Sequence, residues 1–173
     1  AHRYALVMPL LDEAHAAFRA WRLDQGRLTF DDLLQCAEQL LREHAGARLE
    51  LAARFPHLLV DEFQDTDPVQ AAVVAFLAAD AASAHETDWR AVRLRALDPA
   101  RAHDAAAREA ALAAGTVVVV GDPKQSIYRF RRADIATWGA TRALIARDGA
   151  VLPLVRNFRS GTAVRDFVNA AFD

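Results

Sequence analysis

The chain has 173 residues, 53% of them hydrophobic, which is room for one domain with a sizeable core and too apolar for disorder. No apolar run reaches the ~18–20 residues of a membrane span, and AHRYALVMPLLDEAHAAF lacks the basic start and cleavage site of a secretory signal, so a cytoplasmic protein with no membrane partner is expected. The formal charge of −2 carries no global sign of nucleic-acid binding, which leaves such a role to a local patch, and the lone Cys36 excludes an internal disulfide or a Cys-rich metal cluster.

The first half reads as helical. Leu6, Leu10, Ala14, Ala17, Phe18 and Trp21 recur at helical spacing, with Pro9 near the front or splitting the segment, and Gly26 ending it. Trp21, Trp89 and Trp138 are expected in the core or at its edge. Thr29 then opens TFDDLLQCAEQLLREH with Asp31 and Asp32 in the first turn, a capping and dipole signature. Gly46 is expected to close that helix, and a short one follows to about Arg54. HLLVDEF, residues 57–63, reads as a buried strand whose end is polar. Asp67-Pro68-Val69-Gln70 is a capping box with Pro at the first helical position, launching an apolar helix to about Ala79.

Residues 80–115 are rich in alanine, arginine and acids, and read as an insertion peripheral to the motifs, partly helical around 104–114 and otherwise loop. TVVVVGD, residues 116–122, is the strongest strand, expected to be fully buried because it does not alternate. A helix from about Asp134 to Arg147, a short strand VLPLV at 151–155 and a helix after a Ser160 cap complete the chain. Strands alternating with helices predict an α/β fold with a parallel sheet.

Three loops follow predicted strands, where open α/β sheets bind ligands. Asp61 and Glu62 end the first strand; paired carboxylates there suit Mg²⁺ binding and activation of water, or they merely leave the core. In GDPKQSIYRFRR, Gly121 permits a tight turn, and Tyr128 and Phe130 alternate with Arg129, Arg131 and Arg132. Rings for stacking and guanidinium groups for phosphates are what a single nucleic-acid strand needs, although a solvated basic turn has the same composition. In RNFRS, Arg159 could neutralise phosphate and Phe158 could stack on a base or simply pack. The six histidines show no metal-ligand spacing, and Ser126 has no nearby base. Lys124 is the only lysine and lies in GDPKQS, so the sequence holds no G-x-x-x-x-G-K-[ST] loop.

Taken in order, LLVDEFQDTDPVQ, VVVVGDPKQSIYRFRRAD and LVRNFRS resemble motifs II, III and IV of the superfamily-1 UvrD/Rep-type DNA helicases, and TFDDLL resembles the segment before motif II. The pairing of DEFQDT with GDPKQSIYRFR is most similar to the RecB/AddA helicase–nuclease branch, which includes exonuclease V. The resemblance implies a partial RecA-like P-loop NTPase motor domain, a parallel sheet with flanking helices, preceded by a helical segment. Residues 1–56 would be the lead-in from an inserted subdomain, and 57–173 the C-terminal part of the first motor domain, interrupted at about 80–115.

The same resemblance implies ATP and Mg²⁺ as cofactors. Asp61 would coordinate Mg²⁺ and Glu62 would be the catalytic base. Gln125 would sense the γ-phosphate, Phe158 would pack on the adenine and Arg159 would contact the γ-phosphate. Tyr128, Phe130 and Arg131 would lie along single-stranded DNA, while Gln64 and Asp65 would link the ATP site to motif III. Single-stranded and duplex DNA, and a partner subunit of a helicase–nuclease complex, are the implied partners. Neither the phosphate-binding loop nor motifs V and VI occur in the sequence, and no nuclease motif is visible. The expectation is therefore a piece of a 3′–5′ helicase of recombinational repair, inactive as an ATPase alone. A non-catalytic single-strand-binding module and a non-functional truncation remain the alternatives.

Overall fold

A computed structural model of the chain describes residues 2–95, 106, 109, 116–156 and 158–172. Helix α1 (His2–Asp24) runs unbroken through Pro9, close enough to its start that one missing N–H does not end it. Leu10, Phe18 and Trp21 of its apolar stripe stay in solvent: Trp21 is 49% exposed and stacks on Phe18 at 5.7 Å, so it is not the core tryptophan expected. Gly26 ends the segment in the left-handed conformation at φ +64°.

Helix α2 (Phe30–Glu43) begins as the sequence predicts. The Thr29 hydroxyl accepts from the Asp32 N–H at 3.2 Å, and the Asp32 carboxylate accepts from the Thr29 N–H at 2.9 Å. Extended backbone at His44, rather than Gly46, separates α2 from α3 (Ala45–Arg54), and Gly46 lies inside the first turn of α3. Helix α4 (Pro68–Ala78) is capped by Asp67, which accepts from the Gln70 N–H at 2.8 Å, while Gln70 returns a bond to the Asp67 N–H at 3.2 Å.

Almost every residue of α4 is apolar, and the helix forms the centre of the core. Ala71, Ala72, Ala75 and Ala78 are buried, and their small side chains let neighbouring elements approach closely. Around them pack Phe76, Leu41 from α2, Phe63, and Leu144 from α5 (Ile135–Asp148). Complete burial of a side chain such as Phe76 contributes roughly 1.5–3 kcal/mol.

Strands β1 (His57–Val60) and β2 (Thr116–Val119) pair in parallel, His57 opposite Thr116 and Val60 opposite Val119. This is the parallel arrangement expected, consistent with a partial RecA-like domain, but neither strand is fully buried. Leu58, Val60, Val117 and Val119 pack on the core, whereas Leu59 is 79% and Val118 46% exposed. Helices cover one face only of the two strands described, so a continuous apolar run still alternates in burial.

Residues 80–95, the first part of the segment read as an insertion peripheral to the motifs, contribute to the core. There Trp89, Val92 and Leu94 enter the core, and Ala79 bridges Leu94 in antiparallel fashion. Of the helix expected at 104–114, residues 106 and 109 are helical, and the remainder lies outside the described residues. Two arginines complete the packing. Arg48, 1% exposed, donates to the carbonyls of Leu41 (2.6 Å), Ser83 (2.8 Å) and Arg42 (3.2 Å), with its guanidinium 4.4 Å from the Phe76 ring centre. Arg95 donates to Ala52 O at 3.0 Å and Leu77 O at 2.6 Å, joining the C-terminal ends of α3 and α4. Carbonyls in the last turns of helices lack intrahelical partners, and a guanidinium satisfies several at once.

Helix α5 follows Asp134, whose carboxylate accepts from the N–H groups of Ala136 and Thr137. Residues 151–155 are not a strand: Pro153 removes a ladder donor, and every described residue from 150 to 172 is exposed. Helix α6 (Thr162–Phe172) starts from Gly161, whose carbonyl accepts from the Arg165 N–H at 3.2 Å, one residue beyond a Ser160 cap.

Candidate functional site

Parallel pairing of β1 and β2 brings the loops after them side by side. The Val60 carbonyl accepts from the Val120 N–H at 2.8 Å, and the Val120 carbonyl accepts from the Phe63 N–H at 3.0 Å. These two bonds carry the pairing past the strands and into the loops that hold Asp61–Glu62 and Asp122–Gln125.

Glu62 adopts the left-handed conformation, φ 51° and ψ 39°. For a residue other than glycine this costs of order 1 kcal/mol or more, and two side chains hold it there. The Asp61 Oδ1 accepts from the Glu62 N–H at 2.8 Å, and Gln64 Nε2 donates to Glu62 Oε2 at 2.6 Å. Both carboxylates remain exposed at the end of the strand.

Gln64 is the keystone of the junction. It is 3% exposed, and its Oε1 accepts from the Asp122 N–H at 3.0 Å while its backbone carbonyl accepts from the Ser126 hydroxyl at 3.2 Å. One amide thus spends its donor on the first loop and its acceptor on the second. Gly121 makes room for it: a Cβ there would stand 2.5 Å from Gln64 Oε1 and 2.7 Å from Trp138 Cζ3. Phe63 and Trp138 close the floor with ring centres 6.0 Å apart.

Asp122 organises the second loop. Its carboxylate accepts from the Lys124 N–H at 3.0 Å and from Gln125 Nε2 at 3.1 Å. The Lys124 backbone bond, then that of Gln125, hold its carboxyl below the usual carboxylate value. Gln125 is exposed at the end of the short turn Pro123–Gln125. Downstream, the Tyr128 and Phe130 rings meet at 5.7 Å, and the Arg131 guanidinium lies 5.3 Å from the first and 5.8 Å from the second. Phe130 is 78% exposed, so one aromatic face is open to solvent. Arg132, left-handed at φ 68°, ends this turn and pairs with Asp31 of α2 at 3.5 Å.

The predicted residues therefore fall into three places. Asp61, Glu62 and Gln125 sit on two adjoining loops tied by Gln64. Tyr128, Phe130 and Arg131 form one cluster on the continuation of the second loop. Phe158 and Arg159 lie on the exposed 150–172 segment, with Phe158 88% exposed. Trp138 and the Asp31–Arg132 pair were not singled out for this site by sequence reasoning; only tertiary packing brings α2 and α5 to these loops. Among the described residues, no helix is long and apolar enough to cross a membrane, and no cluster of three His, Cys, Asp or Glu side chains could hold a metal by itself.

The family model of the UvrD/REP helicase N-terminal domain matches residues 5–143, which include both loops and the TFDDLL cap. The chain belongs to the UvrD/REP helicase family. It is 35% identical over 84% of its length to the RecBCD enzyme subunit RecB of Mycolicibacterium smegmatis, and 32% identical over 99% to that of Haemophilus influenzae. It is 30% identical over 94% of its length to an ATP-dependent helicase/nuclease subunit of Levilactobacillus brevis. The matched region is 10% of the first relative and 11% of the other two, so the chain spans about a tenth of their length.

Proposed function

We propose that this chain is the part of a 3′–5′ DNA helicase or translocase of recombinational repair in which the nucleotide site meets the single-strand path. Residues 57–173 would belong to its first motor domain, and 1–56 to a helical lead-in that shares the core through α2 and α3. The observation that carries the reading is the Gln64 junction. It fixes a carboxylate pair at one strand end to a loop that continues directly into an exposed aromatic–arginine cluster.

The donor set suits Mg²⁺–ATP. Asp61 uses one oxygen on the Glu62 N–H and is otherwise exposed, and Mg²⁺ in nucleotide sites takes one or two carboxylates and completes its shell with phosphate oxygens and water. Bound Mg²⁺–ATP supplies a γ-phosphoryl group for transfer to water. Asp61 would hold the ion and Glu62 would accept the proton of the attacking water. Gln125 would register the γ-phosphate, Phe158 would cover the adenine and Arg159 would neutralise phosphate charge. The phosphate-binding loop, which this sequence does not contain, would come from another part of the protein.

Tyr128, Phe130 and Arg131 would bind the strand, the open face of Phe130 stacking on a base and the guanidinium meeting phosphate. The relatives named as a RecBCD enzyme subunit and a helicase/nuclease subunit favour a motor that works with a partner subunit. Strand-displacement assays of the full-length protein test this. ATP-dependent unwinding of a 3′-tailed duplex but not of a 5′-tailed one is expected, and it should disappear in Glu62→Gln. Unwinding that survives this substitution, or that prefers the 5′ tail, would overturn the proposal.

A further inference from the structure

Where α1 and α2 converge on the turn that ends at Arg132 there is a cavity of about 310 Å³, lined by His15, Arg19, Arg22, Asp31, Asp32 and Arg132 among others. Its charge is arranged in depth. Asp32, 2% exposed, forms the floor and is neutralised from within, accepting from Arg22 at 3.0 Å and pairing with Arg19 at 3.5 Å. The Thr29 backbone and hydroxyl, then the two arginines, hold its carboxyl below the usual value, so it stays ionised and those arginines stay drawn inwards.

Arg19 is the loosely held member. Among the described residues its guanidinium makes only the 3.5 Å ion pair, through its buried Nε, and no hydrogen bond, and its side chain keeps 27% of its surface open. A planar cation with unused donors at a cavity mouth is matched to an oxyanion that can take them. Arg132 adds a third positive charge against the exposed Asp31, which leaves the lining net positive. Arg132 is also the last residue of the turn that carries Tyr128, Phe130 and Arg131. The cavity therefore continues the surface proposed above for a single strand.

We infer that this cavity is a phosphodiester subsite, in which Arg19 and Arg132 bind the backbone of a DNA single strand whose bases lie on the Tyr128–Phe130 cluster. The inference rests on the reading of that cluster as the strand path. It extends the path from the motif III loop onto α1, which no sequence motif marks. Asp31 then sets the affinity, because it competes with phosphate for Arg132.

Anisotropy of a labelled oligothymidylate of about 15 nucleotides, titrated with the full chain at several salt concentrations, tests it. Losing one single-strand phosphate contact should lower the slope of log affinity against log salt by about 0.7, which is roughly an eightfold loss at ~50 mM salt and threefold at ~200 mM. Arg19→Gln should show that pattern and Arg19→Lys should keep the wild-type slope. Asp31→Asn should bind more tightly than wild type. Arg22 alone keeps its bond to Asp32 in these variants, and an unchanged thermal melt verifies that they fold.

If Arg19→Gln and Asp31→Asn bind as wild type while Phe130→Ala with Arg131→Ala binds weakly, the strand path stands and the cavity is not part of it. If the oligonucleotide does not bind, or no variant alters its binding, the strand path itself fails and takes the inference with it. Displacement of the Arg19-dependent binding by inorganic phosphate at matched ionic strength would instead make this a free-anion site and overturn the strand assignment.

Discussion

Gly121→Ala probes the junction with the smallest possible change. The added methyl would lie 2.5 Å from Gln64 Oε1, 2.7 Å from Trp138 Cζ3 and 3.1 Å from the Phe63 nitrogen. The Phe63 nitrogen is backbone and Trp138 is a rigid ring packed on Phe63, so Gln64 is the group able to yield. Its movement gives up the 3.0 Å bond from the Asp122 N–H and the 2.6 Å bond to the Glu62 carboxylate. A neutral hydrogen bond contributes about 1 kcal/mol and one to a charged group about 1.5–3; overpacking alone costs roughly 1–3. The expected destabilisation is therefore about 2–4 kcal/mol, read as a shift of the urea midpoint at unchanged m-value. Truncation to Gln64→Ala should relieve the part of the cost that passes through Gln64, while the 2.7 Å approach to Trp138 remains. The double variant should be at least ~1 kcal/mol more stable than the sum of the single changes predicts. A single-variant loss below about 0.5 kcal/mol, or additivity within that margin, would refute the reasoning.

Arg48→Ala should destabilise the chain by about 3–5 kcal/mol, because it strands carbonyls of Leu41, Ser83 and Arg42 and strips the guanidinium from Phe76; chemical denaturation measures this, and a loss under ~1 kcal/mol would contradict it. Asp148 bonds to Arg147 and accepts from the Leu94 N–H, and the Arg147 hydrogen bond is the main cause that holds its carboxyl below its ordinary value of 3.8. A carboxyl depressed in the folded state adds stability that is present above the unfolded value and lost as pH falls through the folded one. Stability should thus decline as pH falls below about 5, and Asp148→Asn should flatten that part of the profile in denaturant midpoints taken at successive pH values.

Much of this organisation is written locally. Thr29–Asp32, Asp67–Gln70 and Asp134 each declare a helix start through a side chain that meets its own first turn, and the structure reproduces all three. VVVV and HLLV declare strands, and their shared direction puts both polar loops at one end. Burial is less legible, because it depends on what covers an element. Leu59 and Val118 read as core and lie in solvent, and VLPLV has strand composition without a paired neighbour.

Residues 80–95 show the reverse. Trp89 is expected in or near the core and is buried there, but the alanine-rich, charged composition hides Val92 and Leu94, which reach the core from an irregular segment with no periodicity to reveal them. The buried Arg48 and Arg95 were equally hidden, since an arginine becomes interior only where helix ends converge on it. At the site, the family resemblance implied that Gln64 and Asp65 link the ATP site to motif III; the structure shows Gln64 bonding to both loops, whereas Asp65 Oδ1 is buried without a hydrogen-bond partner among the described residues.

The central claim, that Asp61–Glu62 is the hydrolytic end of a DNA-dependent motor, is tested most directly by ATP turnover of the full-length protein with and without single-stranded DNA. Glu62→Gln keeps the size of the side chain and its acceptor for Gln64 Nε2 but removes the base. The account predicts that DNA-stimulated turnover falls by a factor on the order of 10²–10⁴ while nucleotide binding is retained. Turnover within a few-fold of wild type would contradict it.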